Sequence, residues 1–266
     1  MRLRLLLRTY RRATTGSPVR RDGGYDAAAV TRWEDPARWY EVMNPWGPSD
    51  DFYLELVMAA SSVLDVGCGT GMLLRRARTA GHTGRLCGLD PDPAMLGQAQ
   101  ARPDIEWVLS DAASAAWERE FELAVMTGHA FQVLVSDDEL RRSLRAIRAA
   151  LVDGGRFAFE TRNPKARAWD GWNTTYEVRN PDGEAVRVTH EVHEVDGDVV
   201  RLSETLSGRW WSSDQTSPGV LRFLAPDALS AFLEDAGLAV EDQFGDWQRG
   251  RLRDAGEEVV TIARRR

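Results

Sequence analysis

The sequence predicts an α/β protein: an open, mostly parallel sheet with helices on both faces and an antiparallel β meander inserted after the fifth strand. Three observations carry this expectation. From Val63 onward, short β-rich runs alternate with helical runs, as parallel strands joined by crossover helices require. The first of those strands runs straight into a glycine loop, VLDVGCGTG at residues 63–71. From about Tyr176 to Phe223 the chain instead alternates with period two, the pattern of half-buried antiparallel strands.

Taken in order, SVLDVG is the first strand, and MLLRRARTAG is a helix stopped by Gly81. GRLCGLD is the second strand, and the helix DPDPAMLGQAQAR places Pro93 in its first turn, where a missing N–H costs no hydrogen bond. IEWVLSD and FELAVMTG are the third and fourth strands. Ser136 and Glu139 form an S-x-x-E capping box, and Leu140, Leu144, Ile147 and Leu151 recur at helical spacing up to Gly154, which ends the helix. GRFAFET is a fifth, buried strand. In the meander Val186, Val188, His190 and Val192 share one face, and VDGD turns the chain back. The helix PDALSAFLEDAG, with Leu229, Phe232 and Leu233 on one side, and the strands LAVEDQFG and EEVVTIARR complete the core.

Composition narrows the function classes. The 266 residues are 43% hydrophobic, enough for one large domain with an addition. No run of about eighteen apolar residues occurs, so no membrane-spanning helix is expected. The two cysteines, Cys68 and Cys87, and the four scattered histidines, His82, His129, His190 and His193, form no metal-ligand spacing, and no metal is expected. A soluble protein of a reducing compartment, the cytoplasm, fits this usage, and a homodimer is one assembly the sequence allows. The formal charge of −7 is uneven: residues 1–21 hold seven arginines and no acid, leaving 27 of the 34 bases against all 41 acids. That acidic body argues against a nucleic acid partner, and the arm reads as an extension too short in apolar residues for a secretory leader.

The loop spacing is G-x-G-x-G, with Met72 where a dinucleotide fingerprint needs its third glycine, which counts against NAD. Asp90 closes the second strand, where a carboxylate can accept from both hydroxyls of a ribose. Asp111 closes the third, within reach of an exocyclic amine, and Asp65 lies in the first. Three acids on consecutive strands suit a ligand with a ribose, an adenine and an ammonium group but no phosphate.

VLDVGCGTG, GLDPDPAML, SDA, and AVMTGHAFQVL followed by LVDGGRFAFET resemble, in order and spacing, the motifs of class I (Rossmann-like) S-adenosylmethionine-dependent methyltransferases of the small-molecule type. The resemblance is close over Val63–Arg162 and looser beyond. It implies the class I open sheet with its last strand antiparallel, and S-adenosyl-L-methionine as cofactor. It also implies Asp65, Gly67, Cys68 and Gly69 beside the methionine moiety, Asp90 and Pro91 at the ribose, Met95 near the adenine, Asp111 and Ala112 at its edge, and Thr127 and Gly128 under the methyl donor. Charge marks residues 1–24 as a basic extension and the period-two alternation marks 165–224 as a β insertion; the resemblance implies that 25–60 is an aromatic lid segment, 61–266 the methyltransferase domain and the insertion its substrate side.

His129, directly after the fourth strand, is the candidate catalytic residue: an imidazole there can take a proton from a hydroxyl, ammonium or indole acceptor, or simply hydrogen-bond the cofactor or loop. His190 and His193 fall on opposite strand faces and read as packing or surface residues, and His82 as a helix-end cap or solvated side chain. Aromatic walls suit planar or cationic acceptors, and Tyr40, Trp46, Tyr53, Phe131, Trp169, Trp172 and Trp211 are the expected acceptor contacts. The leading expectation is methyl transfer to a small aromatic or nitrogen-containing metabolite, an indole-like ring among them. Two alternatives stay open: an RNA or other macromolecular acceptor, and a non-catalytic protein that only binds S-adenosylmethionine.

Overall fold

The computed structural model describes residues 33–100, 102–254 and 256–266. The expected basic extension lies outside the described residues, as does the start of the 25–60 segment. The described chain begins with a short 3-10 turn, Pro36–Trp39, followed by α1 (Tyr40–Met43) and α2 (Pro48–Met58). Pro48 opens α2, and the Asp50 carboxylate accepts the Gly47 N–H at 2.7 Å. The core then runs β1 (Ser62–Val66), α3 (Met72–Thr79), β2 (Arg85–Asp90), α4 (Pro93–Ala99), β3 (Glu106–Leu109), β4 (Phe121–Met126), α5 (Asp137–Ala150) and β5 (Leu151–Arg162). The meander is β6 (Thr174–Arg179), β7 (Ala185–Asp196), β8 (Val199–Ser207) and β9 (Gln215–Arg222). The chain returns to the core through α6 (Pro226–Asp235), β10 (Leu238–Phe244) and β11 (Glu258–Arg265).

Seven strands form the main sheet in the order β10-β11-β5-β4-β1-β2-β3. β1 through β5 pair in parallel, while β11 runs antiparallel to both β5 and β10. This is the expected open sheet with an antiparallel last strand. The order reverses at β1, whose neighbours are β2 and β4, so a crevice opens at the carboxyl ends of these strands. Leu140, Leu144 and Ile147 of α5 and Leu229 and Leu233 of α6 cover one face, and Phe52, Tyr53 and Val57 of α2 with Leu73, Leu74 and Ala77 of α3 cover the other. α2 therefore packs on the core sheet. The meander forms a separate antiparallel sheet, β6-β7-β8-β9. Among the described residues no helix is long and apolar enough to cross a membrane.

Two local expectations are corrected. Leu151 is not the last turn of α5: its extended backbone (ψ 143°) starts β5, and the positive φ of Gly154 (+76°) lies inside a bulge that interrupts the pairing with β4. Leu151 is apolar at helical spacing because it packs into the same core as α5, so periodicity alone could not separate the two elements. His82 is not solvated: it is buried, its N–H closes the end of α3 on the Ala77 carbonyl at 3.0 Å, and its Nε2 lies 2.7 Å from the Ala60 carbonyl, tying the α3–β2 turn to the end of α2.

Glycine also has a packing role in β2. The Trp107 ring lies across Gly88, so a Cβ there would sit 2.6 Å from the ring and 2.8 Å from Cys68 Sγ. Gly88→Ala is expected to destabilise the fold by about 1–3 kcal/mol through overpacking. Denaturant unfolding measures it, and Trp107→Leu in the same chain should recover part of the loss.

Candidate functional site

The glycine loop turns sharply at the end of β1 because Gly67, Gly69 and Gly71 all adopt positive φ (+74°, +57° and +71°). The Gly67 and Cys68 N–H groups both donate to the Leu89 carbonyl, at 2.7 and 3.0 Å, clamping the loop onto β2. A Cβ on Gly69 would stand 3.1 Å from the Met95 methyl and one on Gly67 3.2 Å from the Ala130 Cβ. The loop backbone thus packs closely against α4 and the turn after β4, in space that a larger residue would need.

Three carboxylates gather around it. Asp90 is buried at the end of β2, its two oxygens accepting from the Gly69 and Asp92 N–H groups at 2.8 Å each. Burial pushes its pKa up, while those two backbone bonds pull it back. Asp65 is more extreme: it is 1% exposed, and its Oδ1 has no hydrogen-bond partner among the described residues. Burial, then the nearby Asp90 and Glu160 charges, push its pKa up to about 8. A buried carboxylate oxygen without a donor is costly unless something absent from the protein supplies one. Asp111 sits further out and caps a 3-10 turn at Ala112–Ser114, accepting the Ser114 N–H at 2.8 Å. Ala112 is buried beside it, and Pro91 is exposed beyond Asp90.

After β4, Gly128 and His129 take consecutive left-handed conformations (φ +67° and +63°), re-aiming the chain at the sheet's carboxyl edge next to Thr127. The Tyr40 hydroxyl stands 3.7 Å from where a Gly128 Cβ would be, so α1 covers this turn. His129 is buried, with Nε2 2.8 Å from Glu258 Oε2 and its backbone N–H donating to Glu160 Oε1 at 2.7 Å. The other Glu160 oxygen accepts the Tyr53 hydroxyl at 2.5 Å. Burial foremost, and Glu160 next, lift the Tyr53 pKa well above its ordinary value, so the phenol stays a donor. Beside this network the Arg162 guanidinium donates to Gln132 Oε1 at 2.9 Å and lies 5.1 Å over the Trp172 ring.

The structure therefore brings together Asp65, Gly67, Gly69, Asp90, Met95, Gly128 and His129 at one end of the sheet. It distributes the aromatic candidates differently. Tyr40 borders the site. Tyr53 is a core residue holding Glu160, and Phe131 stacks on Phe159 at 4.3 Å inside the main core. Trp46 bonds Asp51 at 2.7 Å under Arg76 on the α2–α3 surface, so it packs outside the crevice. Trp169 and Trp172 pack with Phe223 under the meander, and Trp211 donates to the Glu34 carbonyl at 2.8 Å. Each ring finds an apolar or hydrogen-bonded berth first, which aromatic content alone does not reveal. Glu160, Glu258, Gln132 and Arg162 were missed by sequence reasoning. Glu160 did carry a signal, an acid inside the buried run GRFAFET; Glu258 carried none, because only strand pairing sets it beside Arg162.

A family model described as "Methyltransferase domain" matches residues 63–155. Residues 63–155 thus match a methyltransferase domain, on a sheet of the class I methyltransferase fold. Over 78 residues the chain is 38% identical to a trans-aconitate 2-methyltransferase of Klebsiella pneumoniae (strain 342), a match spanning 29% of this chain and 30% of that protein. Among solved structures, the chain's fold is similar to that of an S-adenosylmethionine-dependent methyltransferase from Clostridium acetobutylicum ATCC 824 (TM-score 0.71, 16% identity, 85% of this chain and 96% of that one). It is similar also to the sugar N-methyltransferase KedS8 from Streptoalloteichus sp ATCC 53650 (TM-score 0.71, 20% identity, 95% and 100%).

The Asp65 shift has a testable consequence for the ligand-free protein. Between about pH 4, where an unfolded aspartate ionises, and about pH 8, the folded chain holds a proton that the unfolded chain has lost. Stability is therefore greatest below this window and falls as pH rises through it, by up to about 1.4 kcal/mol per unit for this one group. Asp65→Asn should flatten that slope in denaturant unfolding at pH 5 to 8; an unchanged slope would show that Asp65 ionises normally.

Proposed function

We propose that this protein transfers the methyl group of S-adenosylmethionine to a small aromatic or nitrogen-containing acceptor, with His129 as the general base. The observation that carries this reading is His129 itself, buried beside the glycine loop's crevice with a carboxylate on its ring and another on its backbone. The donor fits the residues present. Asp65, with its unpartnered Oδ1, suits an ammonium group, and the loop backbone of Gly67, Cys68 and Gly69 suits the close approach of a ligand. Asp90 keeps lone pairs for ribose hydroxyls, with Pro91 alongside. Met95 would pack against the adenine, Asp111 and Ala112 would read its edge, and Thr127 and Gly128 would line the floor under the methyl donor.

When bound, the donor supplies an electrophilic methyl group whose leaving group is a neutral thioether. The chain's task is then alignment, worth roughly 7–11 kcal/mol in well-oriented reactions, and removal of one proton from the acceptor. The imidazole takes that proton, and Glu258 on Nε2 both fixes the ring and stabilises the imidazolium. Glu160 cannot rotate away to compete, because Tyr53 and the His129 N–H hold its two oxygens. The similar proteins support a small acceptor: one is a trans-aconitate 2-methyltransferase, another a sugar N-methyltransferase.

His129→Asn, which tolerates the left-handed backbone, should leave donor binding intact and lower kcat by about 10²–10⁴-fold. The assay is mass-spectrometric detection of methylated product and S-adenosylhomocysteine over a panel of amines, phenols and indoles. Full activity of the variant would remove His129 as base, and absence of S-adenosylhomocysteine with every acceptor would sink the transferase reading. Donor affinity should also rise from pH 6 to pH 8, by up to about tenfold per unit, as Asp65 ionises. Calorimetry on Asp65→Asn should find weaker binding with that pH dependence gone.

A further inference from the structure

The buried face of the meander is divided by a polar row. Pairing sets Thr174 opposite His190, His190 opposite Glu204 and Glu204 opposite Ser217. On one side of the row Val186, Val188 and Leu206 pack with Trp33, Trp39 and Met43; on the other Val200 and Leu202 pack with Trp169, Trp172 and Phe223. His190 is 1% exposed and Glu204 4%, with Nε2 and Oε2 3.0 Å apart and the Tyr176 ring 5.8 Å from the imidazole. Burial lifts the Glu204 pKa, and His190 draws it back.

Packing does not account for this pair. Apolar residues of similar volume would continue the flanking clusters and hold the sheet at least as well, since a buried ion pair seldom stabilises more than its hydrophobic replacement. The contact occupies one polar atom of each side chain, His190 Nε2 and Glu204 Oε2, and leaves His190 Nδ1 and Glu204 Oε1 outside it. Its position ties it to the site. Trp172 lies under Arg162, the strand partner of the Glu258 that holds His129, and Trp39 adjoins Tyr40, which covers Gly128. The row thus lies between the two apolar clusters that border the turn after β4. A groove of about 430 Å³ at the β6 edge is walled by Asn173 and by residues of β6 and β7, Thr174, Thr189, His190, Glu191 and His193 among them.

We infer that His190 and Glu204 are the specificity pair for the acceptor, hydrogen-bonding an amine or hydroxyl on its ring and disfavouring polycarboxylates. This rests on the methyltransferase reading above. Glu204 Oε1 accepts the substituent's N–H or O–H, and the aromatic clusters take the ring's apolar faces. A carboxylate brought to the same place meets Glu204 as a like charge in a poorly solvated setting.

The test uses the full chain, loaded with S-adenosylhomocysteine so that no turnover occurs and labelled with ¹³C-histidine; four histidines give an assignable spectrum. Glucosamine and trans-aconitate are titrated separately, with His190→Gln identifying the His190 signal. Glucosamine should move that signal saturably and trans-aconitate should not. Glu204→Gln should weaken the glucosamine response at least tenfold while S-adenosylhomocysteine affinity, the check on folding, stays unchanged. The two-probe comparison on the unaltered protein stands even where the variant does not fold. A response to trans-aconitate alone, no response to either probe, or an undiminished response in folded Glu204→Gln overturns the inference. Failure of the transferase reading shows separately, as absence of S-adenosylhomocysteine formation in the acceptor panel.

Discussion

The two hydrogen bonds that Asp90 accepts hold the crevice in shape. One comes from Gly69, in the loop after β1, and the other from Asp92, at the start of α4. A single buried carboxylate thereby joins two strand ends that the sheet's hydrogen bonds cannot reach, since the ladder stops where the chains diverge. The Leu89 carbonyl, accepting from Gly67 and Cys68, adds a second tie one residue earlier. Left-handed glycines make both possible, because only a backbone without Cβ can turn its amides onto β2 at such close range. Asp92 then caps α4 through the Ala94 N–H at 2.8 Å, so the same short segment fixes the helix that carries Met95.

Buried acids recur around this end of the sheet, and each is managed differently. Asp90 is satisfied by amides, Glu160 by a phenol and an amide, and Glu258 by an imidazole. Asp65 instead keeps an oxygen without a donor among the described residues, and burial with the neighbouring acid charges pushes its pKa up to about 8. Such a field favours a cationic ligand, since an arriving positive charge lowers the cost of ionising the acids already there. The antiparallel β11 is essential to the arrangement: its direction brings Glu258 to the carboxyl end of β5, where a parallel strand would have set its amino end away from the site.

Much of this was legible along the chain because it depends on neighbours in sequence. The loop 67–71, Pro93 and the Ser136 cap act through local backbone geometry, and each appears where spacing placed it. The aromatic residues were less legible. Tyr53, Phe131, Trp169 and Trp172 look alike as candidates for a binding wall, yet burial drew them into three different clusters. Leu151 shows the same limit at a boundary, since a core-facing leucine is apolar whether it ends a helix or begins a strand.

The sequence by itself determined the alternation of strands and helices, the glycine turn after the first strand and the acids at successive strand ends, all consequences of short-range sterics and hydrophobic period. Only the tertiary structure decided which of those acids meet, that His129 stands between Glu160 and Glu258, and that His190 finds Glu204 inside an apolar face. Those pairings join residues 31, 129 and 14 positions apart. Strand order and direction, which follow from how the whole core packs, set such separations, and no local pattern encodes them.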